Sequence, residues 1–259
     1  MTALTFNGVY SPKLSYDNKS VVFGIQNSDS AGLWVLDLSD PKLFFDNRLR
    51  KIVSDSSTTQ FSKSNFSWSA DGKNIFVETQ NTGSTVVRSY LLRADQENTN
   101  PTELGDQAIS QKNTFLANIA NLEKSKLDKL GTQAQTLAKD AKTLRFSKDN
   151  SAVIIIKDSG TVIYDTKPNL LSNPKPTTIV LPSGANYFFL QDDQSHIVAI
   201  ENSTLSVMDR DGTNKVDLFT GDFDPGAVFS WPDGNRIVIS INLNSKQNPL
   251  PNLYTIDLI

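Results

Sequence analysis

One histidine, five glutamates and a recurring set of aspartates are the residues of this 259-residue chain with the means for chemistry. His196 could serve as a general base, but a single histidine cannot build a multi-histidine metal site. The absence of cysteine removes thiolate ligands, disulfides and a cysteine nucleophile together. No G-x-S-x-G stretch occurs, so no nucleophile elbow is written. A carboxylate pair working on a glycosidic bond needs two acids about 5–9.5 Å apart. Glu78 and Glu201, which end apolar runs, are the glutamates placed to join such a pair with a nearby Asp.

Each of these sharp readings has a plainer rival. Asp17, Asp71, Asp149, Asp193 and Asp233 could ring an ion, yet each recurs where a tight hairpin needs an Asp. The stretch DRDGTNKVD (Asp209–Asp217) has the look of a calcium loop but lacks the bidentate glutamate at its twelfth position, so it reads as a hairpin. His196 falls where the other copies carry Ser20, Asn74, Ala152 and Arg236, a variable surface position. Trp34, Trp68 and Trp231 could form a stacking platform, but they occupy strand positions that call for packing. The sequence assigns no catalytic, cofactor-binding or metal residue, and no cofactor.

The elements that carry these residues repeat. The copies read SPKLSYDNKSVVFGI from Ser11, FSWSADGKNIFVE from Phe66, LRFSKDNSAVIIIK from Leu144, FFLQDDQSHIVAIE from Phe188 and VFSWPDGNRIVISI from Val228. Each has an apolar anchor (Leu14, Trp68, Phe146, Leu190, Trp231), then a two-residue turn and a β-branched run. Asp-Gly and Asp-Asn accept the positive φ angles of tight hairpins. A further alternating strand follows in each copy: Gly32–Leu38, Val86–Asp95, Thr161–Thr166, Thr204–Gly212 and Asn252–Leu258. Repeated hairpin-plus-strand units are the pattern of propeller blades.

The turn aspartates step by 54, 78, 44 and 40 residues. The 78-residue step holds one blade plus about 34 extra residues, given the usual blade length. Those extra residues, about 110–143, place Phe115, Ile119 and Leu122, then Leu130, Ala134, Leu137, Ala141 and Leu144 at helical spacing. Gly131-Thr132 predicts a helix stop and restart, with Thr132-x-x-Gln135 as a capping box, hence a helical hairpin. Its lysines (Lys112, Lys124, Lys126, Lys129, Lys139, Lys142) interleave with Glu123, Asp128 and Asp140, as on a solvated face; a docking face is the sharper reading. The expectation is one all-β propeller domain over residues 1–259, five-bladed, with the first segment completing the last blade. A sixth copy would have to lie around Phe44–Phe61 or Asn98–Ile109.

The phrases SW-x-x-DG-x-x-I at Ser67–Ile75, SWPDGNRIVIS at Ser230–Ser240 and VMDRDGTNKVDLFTG from Val207 resemble TolB-type propeller repeats, bacterial relatives of WD-repeat blades. The resemblance covers most of the chain outside the helical segment. It implies a non-enzymatic, often extracytoplasmic module that binds other proteins through its faces or its central funnel.

The net charge of −3 and the scattered Lys and Arg give no footprint for nucleic acid. No apolar run reaches the length that spans a bilayer, and MTALTFNGVY is no signal peptide. The partner the resemblance implies is a protein, and an export signal or anchor would lie outside this chain, which is then expected to be the propeller part of a larger surface protein. The alternative is a propeller that binds or hydrolyses glycans. Asn18, Asn65 and Asn202 match glycosylation sequons, as an Asn- and Ser-rich chain does by chance.

Overall fold

A computed structural model of the chain describes residues 2–27, 29–39, 48–81, 83–167, 176–191, 195–243 and 250–258. Its strands form five antiparallel sheets. Strand β1 (Thr2–Asn7) belongs to the last of them. The first sheet is β2 (Val9–Leu14), β3 (Ser20–Ile25), β4 (Gly32–Asp37) and β5 (Leu49–Ser54). The second has three strands, β6 (Asn65–Trp68), β7 (Asn74–Gln80) and β8 (Val87–Arg93). Two helices follow, α1 (Ala108–Leu130) and α2 (Thr132–Ala138). The third sheet is β9 (Thr143–Phe146), β10 (Ala152–Lys157), β11 (Gly160–Asp165) and β12 (Thr177–Leu181). The fourth is β13 (Asn186–Phe189), β14 (His196–Glu201), β15 (Thr204–Asp209) and β16 (Val216–Thr220). The fifth is β17 (Phe223–Ser230), β18 (Arg236–Ile241) and β19 (Asn252–Asp257), completed by β1 pairing antiparallel to β19.

One hairpin design recurs. In the first, second and third sheets a serine (Ser15, Ser69, Ser147) donates its hydroxyl to the turn carboxylate (Asp17, Asp71, Asp149) at 2.6–2.8 Å. The same hydroxyl accepts the amide that opens the next strand, at Ser20, Asn74 and Ala152. The carboxylate in turn accepts the amide two residues on, at Lys19, Lys73 and Ser151. Asp233 does this for Asn235 in the fifth sheet. The turn bends through a positive φ at Asn18, Gly72, Asn150 and Gly234, which explains why Asn or Gly follows each Asp. The turn expected at Asp193-Gln194 lies outside the described residues. Asp17, Asp71, Asp149 and Asp233 are therefore hairpin chemistry.

Residues Met1–Ile119 with Phe223–Ile259 make one compact unit, and Ala120–Asp222 a second. In the first unit, period-2 alternation gives the first sheet two apolar faces. Val21, Phe23, Leu36 and Leu38 pack against Ala227, Phe229, Trp231 and Val238 of the fifth sheet. Val22, Leu33, Val35 and Ile52 pack against Phe66, Trp68, Ile75, Val77 and Leu92 of the second. In the second unit, Ile154, Ile163 and Leu181 of the third sheet pack against Tyr187, Phe189, Ile197 and Met208 of the fourth.

The anchor alignment is corrected by the register. Trp68 pairs with Ile75, so its counterparts are Leu14 opposite Val21, Phe146 opposite Val153, Phe189 opposite Ile197 and Ser230 opposite Ile237. Trp231 sits one residue later: its amide bonds Arg236 O, as the amide of Ser69 bonds Asn74 O. Leu190 is displaced in the same way. The cause lies in the spacing of the tryptophan and not in the turn: Asp71 follows Trp68 by three positions and Asp233 follows Trp231 by two, in hairpins of equal length. Trp68 and Trp231 thus do not hold matching places. Both are nonetheless wedged against the first sheet, 3% and 0% exposed.

The second sheet lacks a fourth strand because the chain turns away into the helical segment. A substitute covers the exposed edge of β8. Asn98 accepts the Arg93 amide through Oδ1 and donates through Nδ2 to Arg93 O, Gln96 O and Ile52 O. A lone bridge joins Tyr90 to Glu103. Among the described residues, Asn98–Ile109 builds no sixth sheet. Leu49–Ser54 serves as the outer strand of the first sheet, and Phe44 lies outside the described residues.

The insertion is one long helix and a short one. Gly131, at φ +91°, is the cap that separates them, and no side chain caps α2. The expected capping box is not formed: Thr132 O accepts the Thr136 hydroxyl, and Gln135 reaches Asp128. In the first unit, Phe115 of α1 packs on Phe76 with ring centroids 5.7 Å apart. In the second, Leu130, Ala134 and Leu137 cover Val153, Ile155 and Tyr164.

Candidate functional site

The residue that follows the third strand of each sheet decides how the neighbouring crevice is filled. In all five sheets its amide bonds the hairpin carbonyl before the second strand: Leu38 to Lys19, Ala94 to Lys73, Thr166 to Ser151, Arg210 to Ser195 and Leu258 to Asn235. These five positions are equivalent, yet their side chains differ in size and charge. Within the first unit, Leu38 is fully buried in the cluster joining the first and fifth sheets. Within the second unit, Arg210 forms an ion pair with Asp165, the last residue of β11. Both side chains are 12% exposed, and the guanidinium stacks over Phe189 at 5.3 Å.

Ala94 is the exception. Asp37, opposite Ser20 on β3, is the register equivalent of Asp165, opposite Ala152 on β10. No long side chain reaches it from position 94. A crevice of about 450 Å³ opens there between the first and second sheets. Its walls include Asp37, Arg48 and Arg50 from the first sheet, and Lys73, Arg93 and Asp95 from the second.

The charge of the crevice runs against that of the chain. Four cations face two carboxylates, in a protein of net charge −3. Both carboxylates are already engaged. Asp37 accepts the amide and hydroxyl of Ser39 at 2.8 and 2.6 Å. Asp95 is held by Arg93 at 2.6 Å, and the Arg93 side-chain bond draws its pKa below the usual value. Arg50 donates through Nη1 to Ala94 O at 3.1 Å, and Arg48 is buried with its guanidinium 5.9 Å from the Trp231 ring centre. Lys73 is exposed, and its ammonium makes no ion pair among the described residues. Val35 and Ala94 line the crevice with apolar surface, which strengthens electrostatic attraction by excluding water.

The residues singled out from the sequence are dispersed. His196 Nε2 lies 3.2 Å from Asp209 Oδ1, beside the hairpin in which Asp209 also accepts from Asn214 and Asp211 accepts from Thr213. Glu78 is clamped by Lys112 at 2.9 Å, and Glu201 is paired with Lys215 at 3.2 Å. Trp34 is half-buried, donates to Ser30 O and carries Lys51 over its ring. Among the described residues, no group of three or more His, Asp or Glu side chains could hold a metal ion. The sequons fall at an exposed strand residue, Asn65, and at two positive-φ turns, Asn18 and Asn202.

No protein-family model and no curated protein matches the chain. Solved structures do. The AtxE2 isopeptidase is 10% identical, with a TM-score of 0.47, over 100% of this chain and 50% of its own. TolB from Acinetobacter baumannii is 13% identical, with a TM-score of 0.34, over 97% of this chain and 52% of its own. An oligogalacturonate lyase in complex with manganese is 11% identical, with a TM-score of 0.35, over 97% of this chain and 63% of its own. The likeness is one of TolB-like propeller fold, not of family membership. The chain spans about half the length of the isopeptidase and of TolB. Two of these three are enzymes, which overturns the expectation that a chain of this architecture has no chemistry of its own.

Proposed function

We propose that the chain is a partner-binding propeller module, five-bladed, of the bacterial envelope or surface, and that the crevice beside Ala94 is its docking site. The carrying observation is that equivalent crevices are filled by Leu38 and by the Arg210–Asp165 pair, whereas Ala94 leaves this one open. An opening of about 450 Å³ is of the size that specific ligands occupy. The repeats that resemble TolB-type blades support the envelope location. Among the described residues, no helix is long and apolar enough to cross a membrane. The length shared with the similar structures supports a module within a larger protein.

Site-specific photo-crosslinking in envelope extract tests this reading. A crosslinker placed at Lys73 should trap a discrete partner, and one at exposed Val180 on β12 should not. A partner trapped at Val180 but not at Lys73 would refute the crevice as the docking site.

A further inference from the structure

We infer that Arg145 receives an anion, the carboxylate of a molecule with an apolar body, at the edges of the third and fourth sheets. This site uses none of the residues of the crevice. Arg145 lies on β9 and Phe188 on β13, the edge strands of those two sheets, both within the second unit. The guanidinium carbon sits 5.6 Å from the centre of the Phe188 ring. Among the described residues Arg145 makes no hydrogen bond and no ion pair. Arg50, Arg88, Arg93, Arg210 and Arg236 each have an oxygen partner. An aromatic ring attracts a cation but does not fill a planar fork of five donors. Burial draws the Arg145 pKa below its ordinary value, and no carboxylate of the described residues pulls it back. A desolvated cation without a partner is unfavourable. Its nitrogens remain reachable: none is sealed from solvent, whereas Nε and Nη2 of Arg210 are.

The same register position in the first sheet shows such a cation satisfied from within. Lys13, opposite Val22 and one residue before Leu14, is equivalent to Arg145, opposite Ile154 and one residue before Phe146. Lys13 sits 5.3 Å over the Phe66 ring and also donates to Phe66 O at 2.7 Å. The cation beside a ring recurs in the third sheet; the oxygen acceptor does not. A carboxylate supplies two oxygens that match the fork of a guanidinium. Ile154 and Phe188, which adjoin Arg145, are apolar and buried. Such surroundings penalise a strongly hydrated phosphate dianion more than a carboxylate carried on an apolar group. A free organic acid and the end of a peptide chain both present that chemistry.

The test is NMR of the arginine Nε–H groups in the intact chain. The probes are 3-phenylpropionate, its neutral amide, inorganic phosphate, and a peptide ending in phenylalanine with a free or an amidated C-terminus. The Arg145 Nε–H resonance, assigned by its loss in Arg145→Lys, should shift and saturate with 3-phenylpropionate and stay in place with the amide. Tighter binding of the free-ended peptide would make the source a chain terminus, and tighter binding of 3-phenylpropionate a small acid; either result supports the inference. Arg145→Gln should weaken binding about tenfold or more, as loss of a charge-assisted hydrogen bond requires, with the melting transition retained. Arg145→Lys keeps the charge and loses the fork, so it should also bind more weakly than the native chain, and it serves if Arg145→Gln does not fold. Equal response to the acid and the amide, tighter binding of phosphate, affinity indifferent to both substitutions, or an Arg145 resonance that no probe moves would overturn the inference.

Discussion

Arg210 of the fourth sheet closes onto Asp165 of the third, the two side chains forming an ion pair that is 12% exposed at either end. The pair is held from both sides: Lys167 donates its amide to Asp165 Oδ1, and Phe189 lies beneath the guanidinium. Arg210 Nε and Nη2 are buried without a hydrogen-bond partner, so the guanidinium depends on Asp165 for its main compensation. The pair works as a plug, and its absence at Ala94 and Asp37 defines the crevice proposed as the docking site.

Arg210→Ala should destabilise the second unit by about 3 kcal/mol, because it leaves Asp165 largely buried and unpaired. Replacing both members, by Arg210→Met with Asp165→Asn, should recover much of that loss. Urea unfolding of the two variants measures it. Equal destabilisation by the single and double variants would show that the pair contributes only packing.

The hairpin aspartates predict acid sensitivity. Burial alone would raise the Asp149 pKa, but the Lys167 ammonium and hydrogen bonds from Ser151 and Ser147 overcome it and hold the carboxyl far below its ordinary 3.8. Asp71 is lowered by the hydroxyl of Ser69 and the amide of Lys73. A carboxyl whose folded pKa is depressed contributes stability that is present above its unfolded pKa and lost as pH falls through the folded one. Stability should therefore be flat near neutrality and decline as pH drops below about 4. Asp149→Asn should lower stability at pH 7 and flatten that decline, as followed by thermal melts across pH.

Asn98 stands in for a missing strand. Asn98→Ala removes one accepted and three donated side-chain bonds, including one to Ile52 O in the first sheet, where the residue's own backbone amide keeps its bond. The expected cost is about 1–3 kcal/mol, since backbone groups at the β8 edge lose partners. Hydrogen exchange should speed at Arg93 in particular, and an unchanged Arg93 amide would remove Asn98 from that role.

The helical segment is a cover for the third sheet before it is anything else. Ala134 is fully buried among Val153, Ile155 and Tyr164. Ala134→Asp should cost several kcal/mol through an unpaired buried charge. Deletion of Gln111–Thr143 should expose that apolar face and yield aggregated protein. A soluble, fully folded deletion variant would show that the segment is dispensable for packing and free to serve a partner.

How much of this was legible beforehand follows from the range of the forces involved. Turns and strands are local. Asp followed by Asn or Gly between an apolar anchor and a β-branched run reads as a hairpin, and in the structure those runs open strands at Ser20, Asn74, Ala152 and Arg236. Helical spacing placed the insertion, whereas the burial of the first sheet on both faces came only with the structure. Trp68 and Trp231 mark where local reading stops. They share a motif in the sequence, but register is set by strand pairing, and with one residue fewer between Trp231 and its turn Asp, Trp231 falls at the place of a serine. The crevice lay further out of reach. Ala94 is an unremarkable alanine until it is set beside Leu38 and Arg210, and their equivalence rests on one backbone hydrogen bond per sheet. The sequence by itself determined the repeated β units, because their signals lie within a few residues of one another. Only the tertiary structure decided which crevice is filled and which is open, because that depends on side chains meeting across sheets from distant parts of the chain.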